Sequence, residues 1–146
     1  MKTLILGMGN LLLCDEGVGV HVARALAQRD LPPDVAVVEA GTAFLDVLPN
    51  IEKADRILLI DAMEAGGAPG SVYRVPFDQC LHPEMLASLH GFDLSRVLFM
   101  AGSDRTPEVT VFGVEPARIE WGTELSPVIQ QVLPAIEKAV LNEVSR

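Results

Sequence analysis

Two carboxylates stand side by side at Asp15 and Glu16, a third closes the apolar run RILLID at Asp61, and a histidine, His90, lies in ASLHGFDL. Asp15 and Glu16 fall within LILGMGNLLLCDEGVGV (residues 4–20), a strand-like run that passes through glycines into a helical pattern. Nucleotide-binding proteins keep a phosphate at that place, and two carboxylates would repel one. An acid in the first turn of a helix is favoured by the macrodipole and caps free N–H groups, which accounts for one of the pair. It does not account for Asp61, at the end of an apolar strand, for which a cation is the economical partner. A histidine by itself is more often structural than ligating, and His21 on the first helix and His82 before Pro83 are assigned surface or core roles. Combined with Glu16 and Asp61, His90 completes a set of two carboxylates and one imidazole. Such a set suits zinc, nickel, iron or manganese, and residue types do not choose among them.

The elements that must position these groups alternate along the chain. Strands are predicted at KTLILGM (2–8), DVAVVEA (34–40), RILLIDA (56–62), SVYRVPF (71–77) and EVTVFGVE (108–115). Helical patterns lie between them at 16–29, with an apolar face at Val18, Val22, Ala25 and Leu26, at 42–54, around 92–102, and at 126–144. This alternation predicts an α/β fold, a three-layer αβα sandwich on a mostly parallel, five-stranded twisted sheet. Right-handed crossovers put the first three strands in the order 2-1-3, with the topological switch between strands one and three. Ligands bind beyond the carboxyl ends of the strands at such a switch, which is where Asp15, Glu16 and Asp61 fall. Ser126 and Pro127 make an N-cap and first-turn pair for the last helix, and Pro134 inside it is predicted to kink or break it. GGAPGS (66–71) is turn chemistry between strands.

The 146 residues are predicted to form one domain, residues 1–146. Twenty acidic against eleven basic side chains give a net charge of -9, which disfavours nucleic acid and anionic membrane surfaces as partners. The apolar runs are too short to span a bilayer, and no signal-peptide pattern opens the chain, so a cytoplasmic protein is expected. Cys14 and Cys80 are far apart and form no Cys-x-x-Cys pair, the pattern of reduced structural thiols. There is no H-E-x-x-H helix and no G-x-S-x-G elbow, and Cys14 has no evident histidine partner. A dinucleotide fingerprint fails at its third glycine, where GMGNLL has Leu12, although Glu39 occupies the ribose-binding place. The glycines serve better as turn formers, with Asn10 suited to bond nearby backbone.

Taken in order, LGMGNLLLCDEGVGV, EAGTAFLDVL, LLIDAMEAGGAPGSV, the Ser-x-His of SLHGFDL, and VFGVEP followed by LSPVI resemble the hydrogenase maturation proteases. The resemblance runs nearly end to end. It implies an endopeptidase that removes the C-terminal extension of a nickel-iron hydrogenase large-subunit precursor once nickel is inserted. It implies that Glu16, Asp61 and His90 are the metal-binding and catalytic residues, on a nickel supplied by the substrate, with zinc or cadmium able to substitute in vitro. Glu39, Gly41 and Thr42 would support substrate binding, the alternative for Glu39 being a solvated strand end. The family commonly has an acid, two glycines and a threonine there, where this chain has Glu39, Ala40, Gly41 and Thr42. Ala40 is tolerated if its φ stays negative. The competing readings are a non-catalytic metal-binding maturation chaperone and a nucleotide-binding Rossmann-like domain.

Overall fold

The computed structural model describes residues 1–42, 44–80 and 106–146, with the backbone alone at Phe44, Leu45 and Cys80. The helix predicted around 92–102, His82 and His90 lie outside the described residues. All five predicted strands form: β1 (Thr3–Met8), β2 (Val35–Gly41), β3 (Arg56–Ala62), β4 (Val72–Pro76) and β5 (Glu108–Val114). They make one sheet in the order β2-β1-β3-β5-β4, with β4 antiparallel to β5 and the other pairs parallel. The predicted 2-1-3 order is therefore present at one side of the sheet. β1 and β3 are buried at every position, as strands covered on both faces must be, while the edge strand β4 alternates exposed and half-buried residues.

Side-chain alternation along the inner strands builds a core on each face. Ile5, Leu58, Ile60 and Phe112 pack with Val18, Val22 and Leu26 of α1 (Val18–Ala27) and with Ile129, Ile136 and Val140 of α3 (Pro127–Val144). On the other face Leu4, Leu6, Ile57 and Leu59 pack with Ile51 of the short α2 (Leu48–Lys53) and with Val47 before it. Helices on both faces of a five-stranded, mostly parallel sheet give the expected α/β layering. No helix among the described residues is long and apolar enough to cross a membrane.

Two expectations about α3 hold in part. The helix runs unbroken from Pro127 to Val144 through Pro134. Pro134 is exposed while Ile129, Ile136 and Val140 are held in the core, so the lost backbone bond falls on the solvent side. Ser126 does stand at the N-cap with extended backbone, but its hydroxyl makes no cap. It donates to Asp15 Oδ2 at 2.7 Å instead.

α3 is tied to the sheet at its far end as well. The buried Arg56 guanidinium donates to the carbonyl oxygens of Glu143, Val144 and Arg146 and to Thr3 Oγ1. Glu143 accepts from Arg74 Nε at 2.8 Å and Nη2 at 2.6 Å. Those bonds from Arg74 hold the Glu143 carboxyl below its ordinary value, against the opposing effect of burial. The contribution is thus complete above the ordinary value of 4.5 and is lost as pH falls through the lower folded value. Glu143→Gln should accordingly flatten the acid dependence of the urea midpoint between neutrality and about pH 3.

The approach of α1 to the sheet depends on Gly19. A Cβ there would run into the carbonyl oxygens of Ile60 and Met8, backbone atoms that cannot rotate away. Gly19→Ala should cost about 3 kcal/mol or more of unfolding free energy. Gly66→Ala, at φ +84° with nothing within 4 Å, should cost only about 1 kcal/mol on the same urea titration.

Candidate functional site

The loop after β1 is shaped by its own backbone. Gly9 has φ +129° and lies so close to the Glu16 carbonyl that a side chain would overlap it. Asn10 Oδ1 accepts from the Leu12 N–H at 2.9 Å, the local bond its residue type suggested. Cys14, buried and reduced, has φ +48°, and a short 3-10 turn, Cys14–Gly17, then leads into α1. The turn packs against β3, so Glu16 is brought to the strand that carries Asp61 near its end. Glu16 is half-buried; Asp61 is buried, and its Oδ1 accepts from the Ala62 N–H at 2.9 Å. Both lie at the carboxyl edge between β1 and β3, the expected switch point. Among the described residues no three His, Cys, Asp or Glu side chains converge as a metal site, and the third member of the expected set, His90, is outside them.

Asp15 is used differently from its neighbour. Rather than capping α1, its carboxylate reaches the segment after β5 and accepts four hydrogen bonds. Oδ2 takes the N–H groups of Ala117 (2.9 Å) and Arg118 (2.8 Å) and the Ser126 hydroxyl (2.7 Å), and Oδ1 takes the Ser126 N–H (2.7 Å). Backbone bonds run alongside, from Asp15 N–H to Arg118 O, Cys14 N–H to Gly122 O and Gly122 N–H to Leu12 O. Burial pushes the Asp15 carboxyl up, but the four donors outweigh it and leave it below its ordinary value. The residue is a charged clamp between two loops.

Around this centre the other predicted residues take separate roles. Glu39, on the edge strand β2, is exposed and accepts from Arg24 Nε at 2.8 Å and Nη2 at 3.0 Å. Those two bonds hold its carboxyl below its ordinary value. Gly41 has φ +56°, and its carbonyl accepts from the Gly9 N–H at 3.1 Å, tying the end of β2 to the β1 loop. Thr42 is exposed in the turn beyond, and Ala40 is buried with negative φ, as required of it. His21 is half-buried on α1, and its buried Nε2 has no hydrogen-bond partner among the described residues. Burial, then the charge of Arg24, pushes the imidazole down toward its neutral form.

Glu115 was not singled out by residue-type reasoning, although it stands in VFGVEP directly after β5. Its Oε1 accepts from the N–H groups of Ala65 (2.9 Å) and Gly67 (2.8 Å) and from the Tyr73 hydroxyl (2.9 Å). It thereby holds the loop after β3 against the segment after β5. A shallow cleft of about 500 Å³ lies between those two loops, lined by Glu64, Gly66, Glu115, Arg118 and Ile119 among others.

The fold and this edge define an α/β protein with carboxylates at the switch point of a mostly parallel sheet. A family model described as hydrogenase maturation protease matches residues 20–143. The hydrogenase 2 maturation protease of Escherichia coli (strain K12) is 31% identical over 150 residues, covering 96% of this chain and 89% of that protein. The hydrogenase expression/formation protein HupD of Thiocapsa roseopersicina is 34% identical over 148 residues, 95% of this chain and 66% of that longer one. The solved hydrogenase maturating endopeptidase HybD from E. coli superposes with a TM-score of 0.84 at 29% identity, over 99% of this chain and 93% of that one. The chain therefore belongs to the hydrogenase maturation protease family, a family of endopeptidases.

The Asp15 clamp yields a stability test. Asp15→Asn puts an amide donor in place of one accepting oxygen among three backbone N–H groups and a hydroxyl, and should lower the unfolding free energy by about 2 kcal/mol or more. Ser126→Ala removes one hydroxyl bond and should cost about 1 kcal/mol, both read from urea unfolding.

Proposed function

We propose that this chain acts on the precursor of a nickel-iron hydrogenase large subunit and removes its C-terminal extension after nickel has been inserted. The observation that carries the reading is the packing of the Glu16 turn on β3, which carries Asp61 next to its last residue, at the switch point of a hydrogenase maturation protease fold. The carboxylates of Glu16 and Asp61 and the imidazole of His90 are the residues that engage the nickel borne by the substrate. Their oxygen and nitrogen donors suit nickel, and would accept zinc or cadmium in its place in vitro. Engagement of a fixed metal sets the scissile bond at one point on the protease, which is positioning in the sense of a bound near-attack geometry. A water polarised by the metal or by a neighbouring carboxylate then completes hydrolysis.

The requirement for loaded nickel doubles as a checkpoint, because a precursor without the metal lacks the contact that marks it as ready. Glu39, Gly41 and Thr42 flank the same edge and support the substrate polypeptide, Glu39 from within its pair with Arg24. The reaction belongs to the cytoplasm.

Two measurements test the reading. Purified protein incubated with the precursor should release a short C-terminal peptide from the nickel-loaded form only, followed by intact mass. His90→Ala should lose at least about a hundredfold in processing rate with an unchanged urea midpoint. Wild-type rates in that variant would sink the ligand assignment, and an uncut, nickel-loaded cognate precursor would favour a non-catalytic maturation module.

A further inference from the structure

The chain's single tryptophan, Trp121, is 81% exposed. Exposing so large an apolar side chain to water is unfavourable unless something covers it. Leu12 is 54% exposed and Ile119 43%. These three residues sit on two segments bonded to one another, through Gly122 N–H to Leu12 O and Cys14 N–H to Gly122 O, both 2.9 Å. Only Met1 and Val72 join them as exposed large apolar residues among the described ones, so the apolar surface is concentrated here.

The two segments that carry these residues border the candidate site. Leu12 precedes Glu16 by one turn of loop, and Ile119 lines the cleft shared with Glu64 and Glu115. Its surroundings are acidic: Glu64, Glu120 and Glu124 are exposed, and Arg118 faces Glu120 at 3.5 Å. With a chain charge of -9, a second copy or an anionic lipid surface would meet like charge. A protein surface with an apolar spot ringed by lysine or arginine would be complementary.

We infer that Leu12, Ile119 and Trp121 form the docking surface for the folded body of the polypeptide that this protease cuts. The inference rests on the endopeptidase reading. A cleavable tail lying in the site buries little area, whereas stable recognition between proteins needs about 800 Å² on each side and centres on aromatic anchors. The patch supplies such an anchor beside the place where the tail must enter, and the acidic rim sets orientation and association rate.

The test uses the lone tryptophan as its own reporter. Protein labelled with 5-fluorotryptophan gives one fluorine resonance, and adding unlabelled, nickel-loaded precursor should shift and broaden it. Trp121→Ala should raise KM for that precursor at least about tenfold with kcat within about twofold, the pattern of lost uniform binding. An unchanged urea midpoint would exclude a folding defect in this exposed position. Normal cleavage by the wild-type chain with an unmoved resonance and an unchanged KM in the variant would overturn the docking surface alone. A precursor left uncut by the wild-type chain would overturn the endopeptidase reading and the proposed occupant with it. A resonance that moves with the protein's own concentration, before precursor is added, would assign the patch to a second copy and overturn the proposal.

Discussion

The buried carboxylate of Asp15 draws four donors from a segment more than a hundred residues further along the chain. A carboxylate out of water is expensive unless nearly every lone pair is engaged, and charge-assisted bonds of this kind are the strong ones. The loop after β1 and the segment after β5 therefore hold their shapes conditionally on each other. Cys14 contributes a turn in the left-handed region that costs a non-glycine residue about 1 kcal/mol or more, and its amide at once finds Gly122 O. The packing of this braced turn on β3 brings Glu16 to the sheet edge where Asp61 lies.

The same economy secures α3. It begins at Ser126, whose amide and hydroxyl are both given to Asp15, and it finishes on the Arg56 guanidinium, which collects its terminal carbonyls. Arg56 opens β3 and Asp61 stands near its close, so one helix is fastened near both ends of the central strand region. Partial negative charge on the last carbonyls of a helix is matched by a cation, as the macrodipole requires. The apolar stripe between these fastenings covers β3 and β5 and excludes water from beneath the carboxyl edge.

Periodicity was sufficient for the architecture. RILLIDA reads as a buried strand because covering on both faces demands continuous apolar residues, EVTVFGVE reads as a strand from its β-branched run, and each forms with nearly the expected limits. The roles of neighbouring acids were not legible in the same way. Asp15 and Glu16 have one chemistry and adjacent positions; what separates them is the set of amides brought in from residues 117–126, a long-range contact that no local pattern encodes. Ser126 reads as a cap because its type and the following proline favour one, and it does hold the N-cap position, but its hydroxyl donates to the charged Asp15 carboxylate and its oxygen accepts from no helix amide. Pro134 reads as a kink or a break because local rules omit which side of the helix faces solvent, and the helix does not break there. Glu115 carried a weak signal at most, an acid just past an apolar strand, and its partners lie on a different loop.

A phosphate-binding loop works by presenting several N–H groups to one point, so that a ligand's negative charge satisfies them. Here the amides of Ala117, Arg118 and Ser126 converge in that manner, but the anion they receive is the chain's own Asp15. The charge a nucleotide would bring is thus already present and covalently attached. With those donors satisfied internally, the neighbouring Glu16 and the strand-end Asp61 set the character of the edge as acidic rather than anion-binding. That inversion suits the proposed substrate, since a polypeptide carrying a bound metal cation offers what such an edge can recognise and a phosphate does not. An internal anion beneath and acids above is therefore a physical reason for a loop in the nucleotide position to serve a maturation protease.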